Sequence, residues 1–130
     1  MAIADTRDRF HQPAGTWYTE RSKEGNFFIT SFSVFAETVT TIRTKLGCES
    51  SIRFGANMRR SPLVRITFEN LEFHKKAWNL FARYDDWEKL SYVDCLSFVL
   101  MKEMLLSTVF AFDDDFPNFG FTQVPFAKLP

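Results

Sequence analysis

Two carboxylates in the C-terminal third of the chain stand where an acid is either costly or useful. Asp94 lies near the start of the run Leu90-Ser-Tyr-Val-Asp-Cys-Leu-Ser-Phe-Val-Leu-Met-Lys-Glu. Residues 92–106 are apolar on nearly every helical face, which predicts a helix wrapped by protein. A charged carboxylate inside such a helix needs a partner or a task. Asp113 follows the short, apolar, β-prone run 109–112, which predicts a strand buried on both faces. Open parallel sheets bind their ligands beyond the carboxyl ends of the strands. A buried helix that opens with one acid and a buried strand that closes with another leave room, in right-handed α/β layering, for the two ends to meet. Carboxylates meeting in a cleft suit a hard divalent cation such as Mg2+.

Each acid also has an ordinary structural reading. Ser91 and Asp94 form a Ser-x-x-Asp capping box, which by itself accounts for Asp94. The run Asp113-Asp-Asp115 fits a solvated acidic turn, with Pro117 and Gly120 supplying the turn chemistry. The residues themselves leave both readings of each acid open.

The elements that must position these acids follow from periodicity. Asp8 caps an expected first helix with Pro13 in its first turn; Phe10, Ala14 and Trp17 form its apolar stripe and Gly25 closes it. Residues 26–30 read as a buried strand. A helix over 32–46 packs through Phe35, Val39, Ile42 and Leu46. Glu37 points away from that stripe, and no lysine stands at i+4 to pair with it. Residues 48–60 read as a weaker helix interrupted by Gly55. Pro62 breaks the chain, and an edge strand follows over 64–68. An amphipathic helix over 71–84 runs through Phe73, Ala77, Leu80, Phe81 and Tyr84.

Composition bounds the rest. The chain has 130 residues, 45% of them hydrophobic and 16 of them Phe, enough for one aromatic core and a single domain over 1–130. No apolar run approaches the roughly 20 residues of a membrane helix, and no signal peptide is visible, so a cytoplasmic protein is expected. Cys48 and Cys95 read as reduced core thiols, and neither they nor His11 and His74 show metal-ligand spacing. The formal net charge is zero, which excludes a global attraction to nucleic acid. The charge is uneven, however. Arg43, Lys45, Arg53, Arg59, Arg60 and Arg65 face only Glu49 in their stretch, whereas 85–115 is acidic. A basic rim beside an acidic pocket suits an RNA backbone, and ordinary solvated helix surface explains any single one of these residues equally well. Internal repeats, Gly-rich phosphate loops and Gly-x-Ser-x-Gly elbows are absent from the sequence.

Four motifs carry a resemblance. Leu90-Ser-Tyr-Val-Asp-Cys-Leu-Ser-Phe98, then Phe112-Asp113-x-x-Phe116, then Gly120-Phe121 and Pro125, together with Thr30-Ser-x-x-x-x-x-Glu37-Thr, resemble PIN-domain proteins of the VapC toxin type. The resemblance implies a three-layer α/β/α domain with a mainly parallel sheet. It implies a Mg2+- or Mn2+-dependent endoribonuclease of a toxin–antitoxin system, an RNA substrate, a VapB-like antitoxin and a homodimer. By motif position, Asp94, Asp113 and Glu37 correspond to the family's metal-binding acids, with Asp115 an auxiliary ligand. The segment from Asp5 to His11 resembles the family's segment after its first helix, so the first strand and its acid are expected to be missing. In the competing account, residues 1–4 form a very short first strand and Asp5 is that acid. Two other classes stay open: a PIN-like remnant that only docks a partner, and, more distantly, a receiver-like phosphoacceptor domain.

Overall fold

The computed structural model describes residues 19–20, 23–25, 28–85, 87–106, 108–110 and 122–124, the last two stretches as backbone. The chain divides into two compact units, with the boundary between Thr67 and Phe68.

In the first unit, Thr19, Glu20 and Lys23 are helical, and Gly25 follows at φ +80°, the left-handed helix ending expected of this glycine. Strand β1 (Phe28–Ser31) passes without a linker into helix α1 (Phe32–Leu46). Ser31 is both the last strand residue and the N-cap of α1, its Oγ accepting the Val34 N–H at 3.1 Å. The helix is rich in threonine, a poor helix former. Thr38, Thr40, Thr41 and Thr44 each donate a hydroxyl hydrogen bond to the carbonyl four residues back, which satisfies the side chain without leaving the helix.

A single residue, Gly47, joins α1 to α2 (Cys48–Arg60). Its φ of +93° and ψ of 171° fall in a region essentially reserved for glycine. The two helices lie antiparallel. Ser51 donates to the Val39 carbonyl at 2.6 Å, and a Cβ placed on Gly55 would lie 3.3 Å from Val39 Cγ1 and 3.6 Å from Phe35 Cζ. The expected interruption at Gly55 is therefore corrected. Helix α2 runs straight through it, because the missing side chain lets α1 approach closely and tertiary packing outweighs the propensity cost of about 1 kcal/mol. Strand β2 (Val64–Thr67) then pairs parallel with β1, from Phe28 opposite Val64 to Ser31 opposite Thr67.

The second unit is organised by helices α3 (Leu71–Arg83) and α4 (Tyr92–Glu103). Cys95, Leu96, Phe98, Val99, Leu100 and Met101 of α4 are all buried, as an all-round apolar helix demands. All of these but Leu100 cluster with Ala77 of α3 and Leu90, and Phe73, Leu80, Tyr84, Trp87, Tyr92 and Leu106 pack on that cluster. Each such side chain, fully buried, contributes about 1.5 to 3 kcal/mol. Phe81 departs from the expected buried stripe of α3: it is partly exposed and meets Tyr92 edge-on, with the ring centroids 6.0 Å apart.

Helix α4 ends at Glu103, three residues before the expected end at Leu106. Leu105 turns left-handed at φ +54°, its N–H bonding Lys102 O and the Leu106 N–H bonding Met101 O. This is a Schellman ending, and it returns Leu106 to the core. Two short strands follow, β3 (Thr108–Phe110) and β4 (Thr122–Val124), which pair parallel with Thr108 opposite Thr122. Strand β3 overlaps the start of the strand expected at 109–112, whereas β4 had no sequence signal. Among the described residues the architecture is thus α/β, with two parallel strand pairs. No described helix is long and apolar enough to cross a membrane.

Candidate metal and nucleic-acid site

Asp94 occupies the first turn of α4, half-buried, as the third residue after the N-cap Ser91. Its N–H donates to Ser91 Oγ at 3.0 Å, and its Oδ2 accepts the Ser91 N–H at 3.3 Å. The capping box read from Ser-x-x-Asp is therefore present in full. It uses one carboxylate oxygen for the cap, and among the described residues Oδ1 makes no hydrogen bond and no ion pair. The next residue, Cys95, is wholly buried. Burial, and secondarily the Asp94 charge, push its thiol up to about 11. Cys48, expected in the core, is instead exposed at the start of α2, because the first turn of that helix packs through Ser51 rather than Cys48.

The turn that carries Asp94 is tied to α3 by interactions that sequence reasoning did not find. The Tyr92 hydroxyl donates to the His74 carbonyl at 3.2 Å and lies 3.1 Å from His74 Nδ1. With the single phenolic proton on the carbonyl, Nδ1 carries the imidazole proton and donates to the hydroxyl oxygen. The His74 and Tyr92 rings also stack, with centroids 6.0 Å apart. The two residues are 18 apart in sequence, and no local pattern couples them.

Glu37 is exposed on α1, off the apolar stripe as expected, and its backbone carbonyl accepts the Thr41 hydroxyl. Glu37 belongs to the first unit and Asp94 to the second. Asp113, Asp115 and Asp5 lie outside the described residues, as does the expected short or missing first strand. Among the described residues no group of three or more His, Cys, Asp or Glu is arranged to hold a metal ion.

The basic residues singled out in the sequence are all exposed. Arg53 pairs with Glu49, and Arg60 turns back to Ala56 O and Asn57 Oδ1. Among the described residues Arg43, Lys45, Arg59 and Arg65 have no carboxylate partner. The antiparallel helix pair separates them: Arg43 and Lys45 sit in the last turn of α1, Arg59 and Arg60 in the last turn of α2. The length of α2 puts about 17 Å between these ends.

The family model described as PIN domain matches residues 2–122. The chain belongs to the PIN domain family. This PIN-domain chain is 32% identical over 96 residues to the "23S rRNA-specific endonuclease VapC20" of Mycobacterium tuberculosis strain CDC 1551, and equally to that of strain H37Rv. The matched region covers 74% of this chain and 72% of each relative. Its fold is similar to the crystal structure of M. tuberculosis VapC20, described as a sarcin-ricin loop cleaving toxin. The TM-score is 0.84 at 27% identity, covering 93% of this chain and 89% of that one. The resemblance carried by the motifs around Asp94, Asp113 and Glu37 is thereby borne out at the level of family. PIN nucleases are typically metal-dependent.

Proposed function

We infer that this PIN domain is an endoribonuclease of the VapC toxin type that hydrolyses RNA phosphodiester bonds, working as a single three-layer α/β/α domain. The observation that carries the reading is the relationship to VapC20, which joins 32% identity to a shared fold. Asp94, Asp113 and Glu37 are the proposed ligands of Mg2+ or Mn2+, with Asp115 or Asp5 as a further carboxylate. The donor chemistry fits: this is an oxygen-only set, without thiolate or imidazole, of the kind hard cations prefer, and the cap at Asp94 engages only one of its two oxygens among the described residues. When bound, such an ion supplies Lewis-acid stabilisation and a more acidic water.

The remaining contributions come from the chain itself. The Ser91 N–H holds Asp94 Oδ2 and so aims Oδ1. The cationic groups of Arg43, Lys45, Arg59, Arg60 and Arg65 bind phosphates of the RNA backbone, which position it without reading its sequence. A VapB-like antitoxin, a homodimer and a cytoplasmic location accompany this reading. A second reading, a docking module that does not cut, is favoured by one observation: the capping box explains Asp94 without a metal. Membership of the PIN family displaces the receiver-like alternative.

The test is cleavage of ribosomal RNA, including a sarcin–ricin loop fragment, by the purified chain with Mg2+ or Mn2+. An unrelated RNA runs beside it. Cleavage that stops with EDTA and in Asp94→Asn, while the melting temperature stays within a few degrees, supports the nuclease. A folded parent chain that leaves every RNA intact, with Asp94→Asn behaving identically, supports the docking module.

A further inference from the structure

A capping box at a helix end holds its carboxylate only as firmly as the turn itself is held. Ser91 is exposed, and its bonds with Asp94, at 3.0 and 3.3 Å, compete with water. What fastens this turn from outside is Tyr92, the residue between Ser91 and Val93. Its hydroxyl meets both the carbonyl and the Nδ1 of His74. Its ring stacks with His74 and meets Phe81 edge-on, with both centroid distances 6.0 Å. These partners lie on α3, which is anchored by the wholly buried Ala77 and capped by Asn70 Oδ1 on the Phe73 N–H.

We propose that Tyr92, clasped by His74, is a positioning residue for Asp94, holding the first turn of α4 against α3 so that the Asp94 carboxylate is oriented before a divalent cation arrives. The inference rests on the proposed role of Asp94 as a metal ligand. Groups hydrogen-bonded to a metal ligand commonly change metal affinity about 10- to 100-fold when removed; Tyr92 acts one step further out, on the turn that carries the ligand, so its removal belongs at the low end of that range, the ion then having to order the turn as it binds. Tyr92→Phe removes the hydroxyl alone and keeps both ring contacts, with His74 and with Phe81. His74→Phe keeps the stack and removes Nδ1, leaving the bond from the hydroxyl to the backbone carbonyl. Ser97→Ala is the control, since it removes another α4 hydroxyl, bonded among the described residues only to Val93 O.

The experiment is a Mn2+ titration of the RNA-free full chain, followed by water proton relaxation, beside the metal dependence of RNA cleavage. Tyr92→Phe is expected to weaken Mn2+ binding about tenfold. The metal concentration for half-maximal cleavage should rise equally, with kcat at saturating metal retained. His74→Phe is expected to show a smaller loss, and Ser97→Ala none. A parent that binds Mn2+ through Asp94 while Tyr92→Phe binds it equally well overturns this inference and leaves the nuclease reading standing. If Tyr92→Phe does not fold, unchanged binding by His74→Phe overturns it instead. A parent whose Mn2+ binding is the same as that of Asp94→Asn overturns the metal role of Asp94, and this inference with it.

Discussion

A carboxylate that caps a helix and one that holds a cation make different demands on the same side chain. The cap needs an acceptor, which Asn also supplies, whereas the cation needs charge. Asp94→Ala, which removes the N3 half of the capping box, should therefore cost about 0.3 to 1.5 kcal/mol in urea unfolding, and Asp94→Asn less, while both lose cleavage. The capping role was legible because Ser-x-x-Asp is local. A ligand set assembled from residues as distant as Glu37 and Asp113 has no local signature, and only the family motifs pointed to it. Cys95 yields a second expectation at this scale. Its folded-state value of about 11 exceeds the ordinary thiol value of 9.0, so its contribution to stability is fully present below pH 9. It is lost as pH rises through about 11, an effect on the order of 2 kcal/mol. A thiol reagent at pH 8 should label Cys48 quickly and Cys95 only on unfolding. Rapid labelling of both in the folded chain would contradict the buried placement.

At the scale of elements, periodicity located α1, α3 and α4 because each has one apolar face or is apolar throughout. It also placed α2 at its observed bounds and misjudged only Gly55 within it, since a glycine lowers helix propensity whether or not a neighbouring helix exploits the space. The close approach at Gly55 makes this measurable. Gly55→Leu should destabilise by about 2 kcal/mol through overpacking against Val39 and Phe35. Gly55→Ala, whose Cβ meets Val39 Cγ1 at 3.3 Å, should gain up to about 1 kcal/mol of helix propensity only once Val39→Ala makes room. A double-mutant cycle with no coupling between the two positions would show that the helices do not touch there. Strand β2 offers a simpler case. Among the described residues Thr67 Oγ1 is buried without a hydrogen-bond partner, so Thr67→Val should stabilise the chain by about 1 kcal/mol, read as a higher midpoint of urea unfolding. The parallel partner of β3 was missed because a three-residue strand is too short to display alternation.

At the scale of the whole molecule, zero net charge leaves RNA affinity to local clusters. Arg43 with Lys45, and Arg59 with Arg60, stand farther apart than the roughly 8 Å over which charges interact at physiological salt. Neutralising either pair with Gln should lower RNA affinity independently of the other, and for every phosphate that is no longer neutralised the salt dependence should flatten by about 0.7. Unchanged slopes for both pairs would move the RNA-binding surface elsewhere. The one-residue link at Gly47 also bears on the order of folding events. The bond that joins α1 to α2 spans as few as 12 residues, from Val39 to Ser51. The pairing of Phe28 with Val64 must close a loop that contains both helices. Loop-closure entropy favours the shorter loop first, so the helical hairpin forms early and delivers β2 to β1 as a consequence. Ser51→Ala should accordingly slow refolding, with a φ-value approaching 1, whereas Ile66→Val should act mainly by speeding unfolding.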